Sequence, residues 1–229
     1  MPARQIPISF PSQALSFDQI AISDSTRTII QAIRRVERWP GQVFCIVGPE
    51  KSGLTTLLQA WSQERGGQYV DVRATTAPRA SAIESFTPKV DLAIDRADLV
   101  QDDSALLLAI SAAMRTHNYV LLSGRTPPTQ WTALSADLRS RLKAAPIQHI
   151  PNPDETLLRG RLKQGFSKAY LHLSQNVEDY LVSRLGLDYS MVETAIDTLA
   201  GEAADRPVTI PLVRSVLGFA DTEDPSSEE

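Results

Sequence analysis

Ten residues constrain the fold of this chain more than any others: Gly48-Pro49-Glu50-Lys51-Ser52-Gly53-Leu54-Thr55-Thr56-Leu57. They follow the apolar run Val43-Phe44-Cys45-Ile46-Val47 and open a helical pattern over 55–63. A short run with both faces apolar reads as a strand inside a sheet covered on both sides. A glycine-bearing loop between such a strand and a helix aims backbone amides and the positive end of the helix at one point, an arrangement that suits an anion. Gly48, Gly53 and Thr55 fit the phosphate-loop spacing G-x-x-x-x-G-K-[ST], but Leu54 stands where that pattern has lysine. The lysine sets a positive charge against terminal phosphates, and leucine brings none. Lys51 starts from a different backbone vector; it either reaches a phosphate or is a solvated turn residue. Thr55 either ligates magnesium beside a nucleotide or caps the helix.

Around this unit, apolar runs alternate with helical stretches. Ile29, Ile30, Ile33 and Val36 recur at helical spacing and predict an amphipathic helix over 24–39, ended by Pro40-Gly41. Further strands are expected at 68–72, 90–94, 119–122 and 147–150, with a helix at 103–116. Continuous apolar strands divided by helices indicate an α/β fold with a mostly parallel sheet sandwiched by helices. After Pro151-Asn152-Pro153 the strand pattern stops. Helices are expected over 154–170, 174–185, 187–199 and 209–217, with Asp154 and Ser174 at N-cap positions, so a small all-helical domain follows the sheet. The organisation read from the chain is an extended, Pro-containing N-terminal peptide at 1–16, an αβ base at 17–152, a helical domain at 153–218 and an acidic tail at 219–229.

Charge and composition narrow the function classes. Lys and Arg total 23 against 27 Asp and Glu, a net charge of -4, which argues against a chain whose main work is gripping nucleic acid backbone. The lone Cys45 lies inside an apolar run, and His117, His149 and His172 are widely spaced, so no disulfide frame or metal site is expected. No long apolar core resembles a signal peptide or a membrane span, and a cytoplasmic location is the default expectation. Asp95 ends the run Val90-Asp91-Leu92-Ala93-Ile94, where folds of this kind hold magnesium through ordered water, but Arg96 follows in place of a second acid. With both the loop lysine and the water-orienting carboxylate missing, the chain is not expected to be an enzyme that turns over ATP.

The order of these segments resembles the AAA+ superfamily and, more closely, the DnaA-related Hda family, over about residues 5 to 218. Four segments carry the resemblance: Gln5-Ile6-Pro7-Ile8-Ser9-Phe10, the phosphate-loop frame Gly48 to Leu57, Leu121-Leu122-Ser123-Gly124-Arg125-Thr126-Pro127-Pro128, similar to the family's sensor 1 segment, and Leu138-Arg139-Ser140-Arg141-Leu142, similar to its arginine-finger box. The closing helices with Thr209-Ile210-Pro211 look like the family's lid.

What the resemblance implies is a regulator of chromosomal replication initiation. Gln5, Ile6, Ile8 and Phe10 would bind the DNA polymerase sliding clamp (its beta subunit) as an extended peptide entering a preformed groove; the alternative is a tail that covers an apolar patch of its own domain. Arg141 would be an arginine finger acting in trans on ATP held by DnaA; the alternative is an arginine bonded to a nearby carboxylate. The family's nucleotide site would comprise Gly48, Lys51, Gly53, Thr55 and Asp95, holding ADP or ATP with magnesium if the altered pocket still binds. The pocket departs from the family at several places: Leu54, Arg96, Arg125 where aspartate is usual, Ser190 for the sensor 2 arginine, and Ser23 and Thr26 where glycine and asparagine are usual around the adenine. Arg125 either supplies charge to the pocket or pairs with Asp95 and seals it. No direct specific DNA binding, no membrane contact and no helix-turn-helix domain after Phe219 are expected. Two other functions stay open, a non-catalytic scaffold that binds clamp or DnaA and a divergent weak ATPase.

Overall fold

The computed structural model describes residues 17, 20, 23–73, 89–101, 103–132, 134–203 and 206–219. Five strands, β1 (Val43–Val47), β2 (Gln68–Asp71), β3 (Leu92–Asp95), β4 (Val120–Gly124) and β5 (Ile147–His149), form one sheet in the order β2-β3-β4-β1-β5. Every neighbouring pair runs parallel. Helices α1 (Asp24–Arg34), α2 (Leu54–Glu64), α3 (Ser104–Thr116) and α4 (Ala136–Ala144) cover it.

The unbroken apolar character of β1 follows from the pleat. Val43, Cys45 and Val47 point into one core layer with Leu106 and Ile110 of α3 and Leu138 and Leu142 of α4. Phe44 and Ile46 point the other way, against Ile29 and Ile33 of α1 and Leu57, Leu58 and Trp61 of α2. Successive strand residues face opposite sides, so a strand covered on both faces has no position left for a polar residue. Trp39 and Trp61 stack at 5.6 Å in the second layer.

Helices α5 (Glu155–Lys168), α6 (Gln175–Leu185), α7 (Tyr189–Ala203) and α8 (Ile210–Leu217) close on a separate core of Leu158, Leu162, Phe166, Leu181, Val192 and Leu199. The Asp154 carboxylate accepts from Leu157 N at 2.7 Å and starts α5, a cap worth about 1 kcal/mol. Asp188 accepts from the amides of Ser190 and Met191 and does the same for α7. Ser174 occupies the cap position of α6 without a side-chain bond. Gly165 lets α5 approach α7: a Cβ there would stand 2.5 Å from Cδ1 of Ile196.

Two local differences from the sequence pattern have plain causes. The helix predicted over 24–39 ends at Arg34, and short 3-10 turns at Val36–Arg38 and Pro40–Gln42 follow. Pro40 disfavours helical backbone at Trp39, and the Trp39 indole donates to Ala32 O at 3.1 Å, satisfying one of the last-turn carbonyls. Helix α4 is absent from the periodicity reading because only Leu138 and Leu142 of its nine residues are buried, too few to make a stripe.

Candidate functional site

In a parallel sheet, ligands meet the loops at the carboxyl ends of the strands. Here the loops after β1, β3 and β4 converge there, and α5 and α7 close over them. Between them is a cavity of about 430 Å³, bordered by 49–56, Arg73, Asp95, Arg96 and Arg125 below and by Arg161, Gln164, Lys168, Glu193 and Ile196 above.

The phosphate-loop frame is built as its glycines suggest. Gly48 N donates to Gly124 O at 3.2 Å, and a Cβ at Gly48 would lie 2.9 Å from Ser52 Oγ and 3.0 Å from Ile150 Cβ. Gly53 has a φ of 99°, which a side chain resists, and turns the chain into α2 with no side chain capping the helix. Lys51 also adopts a left-handed φ of 60° and is exposed. Leu54 is buried and packs with Phe44, Ile46 and Leu57 in the second core layer, so the position of the missing lysine has become part of the core.

Asp95 is fully buried and saturated. Thr55 Oγ1 donates to its Oδ2 at 2.6 Å, Tyr69 OH donates to the same oxygen at 3.0 Å, and Ser123 Oγ donates to Oδ1. Burial first, and then the charge of Asp95, push the Tyr69 phenol well above its ordinary pKa. Thr55 therefore serves Asp95 rather than the helix cap. Arg96, at φ 61°, donates its backbone N–H to Ser123 Oγ at 3.0 Å, while its guanidinium pairs with Asp98 at 3.0 Å. Arg125 pairs with Glu50 at 2.5 Å, not with Asp95.

A residue that sequence reasoning missed dominates the upper side. Arg161 of α5 donates through Nη1 to Lys51 O at 3.1 Å and through Nη2 to Ser52 O at 2.9 Å. Glu193 holds it at 3.1 Å and the Tyr189 ring lies 4.8 Å beneath it, both from α7. No motif marks Arg161; the only local signal is an arginine on a helix whose neighbours Leu158 and Leu162 are buried. Among the described residues, the buried side-chain polar atoms without a hydrogen-bond partner are Ser52 Oγ and Arg161 Nε, both beside this loop.

The remaining sequence candidates lie elsewhere. Ser23 caps α1, accepting from Thr26 N at 3.2 Å, and its hydroxyl also bonds Thr26 Oγ1. Ser190 sits in the first turn of α7 on the Asp188 cap. Arg141, on α4, pairs with Asp137 at 3.1 Å and donates to Met114 Sδ at 3.4 Å, away from the residues that border the cavity. Arg139 donates to Leu134 O. Gln5, Ile6, Ile8 and Phe10 lie outside the described residues. Among the described residues there is no group of three or more potential metal ligands and no helix long and apolar enough to cross a membrane.

A magnesium nucleotide does not fit this set in the phosphate-loop manner. The Thr55–Asp95 pair that such an ion needs is present, but the charge at position 54 is gone and Arg161 already binds the loop. Several polar groups around the cavity are matched to one another instead: Thr55 to Asp95, Arg125 to Glu50, Arg96 to Asp98 and the Arg161 terminal nitrogens to the loop carbonyls.

No protein-family model and no curated protein matches the sequence. Solved structures do match in fold. Domain III of the Thermotoga maritima replication initiation protein DnaA is 15% identical, with a TM-score of 0.71 over 92% of this chain and 98% of that one. A DNA replication initiation factor is 17% identical, with a TM-score of 0.65 over 83% of this chain; the match spans 65% of that structure. The Thermotoga maritima RuvB Holliday junction branch migration motor is 18% identical, with a TM-score of 0.64 over 89% of this chain and 71% of that one. The parallel sheet, the loop between β1 and α2 and the helical lid above it are the AAA+ fold of these structures; in this chain Leu54 stands at the end of the loop and Arg161 of the lid bonds two of the loop's carbonyls.

Proposed function

We propose that this protein is a DnaA-related regulator of replication initiation of the Hda kind. The N-terminal Gln5, Ile6, Ile8 and Phe10 tether it to the sliding clamp, and Arg141 promotes ATP hydrolysis on DnaA, while its own site performs no turnover. The observation that carries this reading is the likeness to DnaA domain III over 92% of the chain, combined with a loop in which Leu54 is core and Arg161 takes the carbonyls. A guanidinium delivered across an interface stabilises charge on a transferring phosphoryl group held by a neighbour, so the chain needs no nucleotide of its own for this role.

The experiment is hydrolysis of DnaA-bound ATP, measured with this protein and with clamp loaded on DNA. The rate rises, and the rise is lost in Arg141→Ala and in the Gln5→Ala, Phe10→Ala double variant. A rate unchanged by the wild-type chain refutes the reading. One observation favours a second reading, a non-catalytic scaffold: Arg141 is turned along its own helix onto Asp137 and across to Met114 of α3. In that case clamp and DnaA are bound, hydrolysis is not stimulated, and Arg141→Ala changes neither.

A further inference from the structure

We propose that Arg161 is a latch that fixes the angle of the helical lid against the sheet, in the place where a phosphate-loop fold would rely on bound nucleotide. The inference concerns the disagreement between this site and a nucleotide, and it stands whether or not the chain acts on DnaA.

Among the described residues, the lid is attached to the sheet at a hinge and again over the loop. Leu157, in the first turn of α5, and Tyr189, in the first turn of α7, are both buried in the core layer of α1 and α2, and Tyr189 OH donates to Pro151 O at 3.2 Å. An attachment at the near ends of two helices leaves rocking about that line unopposed. The second attachment is Arg161, one turn beyond Leu157 and out over the cavity. Its two terminal nitrogens reach the carbonyls of consecutive loop residues, Lys51 and Ser52. A planar fork suits two acceptors in a fixed geometry, which the single point charge of lysine does not.

The arrangement is built on both sides. On the lid, Glu193 neutralises the guanidinium and the Tyr189 ring supports it, so the side chain is held before it meets the loop. On the loop, Gly53 leaves the space: a Cβ there would stand 3.3 Å from Nη2 of Arg161. In a phosphate site a lid cation would find its countercharge on the ligand. Here Glu193 supplies it from within, and the lid angle asks nothing of ATP or ADP.

The test is a distance measurement across the latch. Cys45 is fully buried and its thiol is pushed up to about 12, by burial first and Asp98 second, so it does not compete for label at neutral pH. Exposed Arg38 and His172 are replaced by cysteine, spin-labelled and read by pulsed electron paramagnetic resonance. The parent gives one narrow distance distribution that millimolar ADP with magnesium leaves unchanged. Arg161→Gln and Arg161→Lys lose the single narrow peak, with far-UV circular dichroism unchanged. Arg161→Lys keeps charge and stem but not the fork, and decides the matter should Arg161→Gln not fold. A parent distribution that is already broad, or narrows only on adding ADP with magnesium, overturns the proposal. So does a narrow peak retained in Arg161→Lys. The readout involves neither DnaA nor the clamp, so failure of the replication reading leaves it intact.

Discussion

Asp95→Asn separates a structural acid from one kept for an ion. In the parent, the buried carboxylate accepts from Thr55 and Tyr69 on Oδ2 and from Ser123 on Oδ1. An asparagine of the same shape has one acceptor oxygen. Turned toward Thr55 and Tyr69, it keeps two bonds but at neutral rather than charge-assisted strength, a loss of about 1 kcal/mol each. Its amide then faces Ser123 Oγ, which already accepts from Arg96 N, and the Ser123 proton is stranded at about 1–3 kcal/mol. Part of this is offset because a carboxylate no longer has to be kept out of water, and the net destabilisation is about 2–3 kcal/mol. The assay is urea unfolding followed by tryptophan fluorescence. Trp39, Trp61 and Trp131 are the only tryptophans in the chain and all lie in the sheet region, so fluorescence reports the part that Asp95 ties together. In the same variant Tyr69 loses one of the causes that raise its pKa and titrates at lower pH, still above the ordinary value because burial is the larger cause. A variant as stable as the parent, with Tyr69 unmoved, would refute the claim that Asp95 is a structural hub.

Three other outcomes follow from contacts away from that hub. Gly165→Ala gains about 1 kcal/mol of helix propensity but drives a methyl into Ile196 at 2.5 to 3.0 Å, so thermal melts show a net loss of about 0–2 kcal/mol, partly recovered by adding Ile196→Val. Cys45 has a folded pKa of about 12 against an ordinary 9.0, so its contribution is complete below the lower value and declines as pH rises toward the upper one. At pH 10 that contribution has fallen by about 1 kcal/mol, a slope that Cys45→Ala removes from a pH series of urea unfolding. Glu178, buried between Arg159 and Lys163 at 3.3 Å from each, anchors the lid, and Glu178→Gln lowers lid stability by about 1–3 kcal/mol in far-UV circular dichroism melts.

The altered pocket has its own internal logic. A phosphate site stripped of its lysine alone would leave a helix terminus and several cations facing solvent with their partners missing. Here most departures come with a match: Leu54 joins the core, Arg96 takes Asp98, Arg125 takes Glu50, and Ser23 caps α1 by accepting from Thr26 N. Paired polar groups lower the cost of a lid closed over the loop, whereas unpaired ones would need water or an anion. The orphaned Ser52 Oγ and Arg161 Nε mark where this matching is incomplete.

The strand β1, the loop after it, the parallel sheet and the cap at Asp154 were legible in the chain itself, because each rests on neighbours a few residues apart: alternation across a pleat, glycine at a tight turn, a carboxylate three residues before an amide. The loss of lysine at position 54 was legible for the same reason. Tertiary structure alone decided where Leu54 turns, that Arg125 reaches Glu50 rather than Asp95, and that Arg161 crosses to a loop 109 residues earlier. Such pairings depend on how β1, β3, β4 and the lid are placed in space, and no local period or spacing encodes a contact between a guanidinium and two carbonyls more than a hundred residues away.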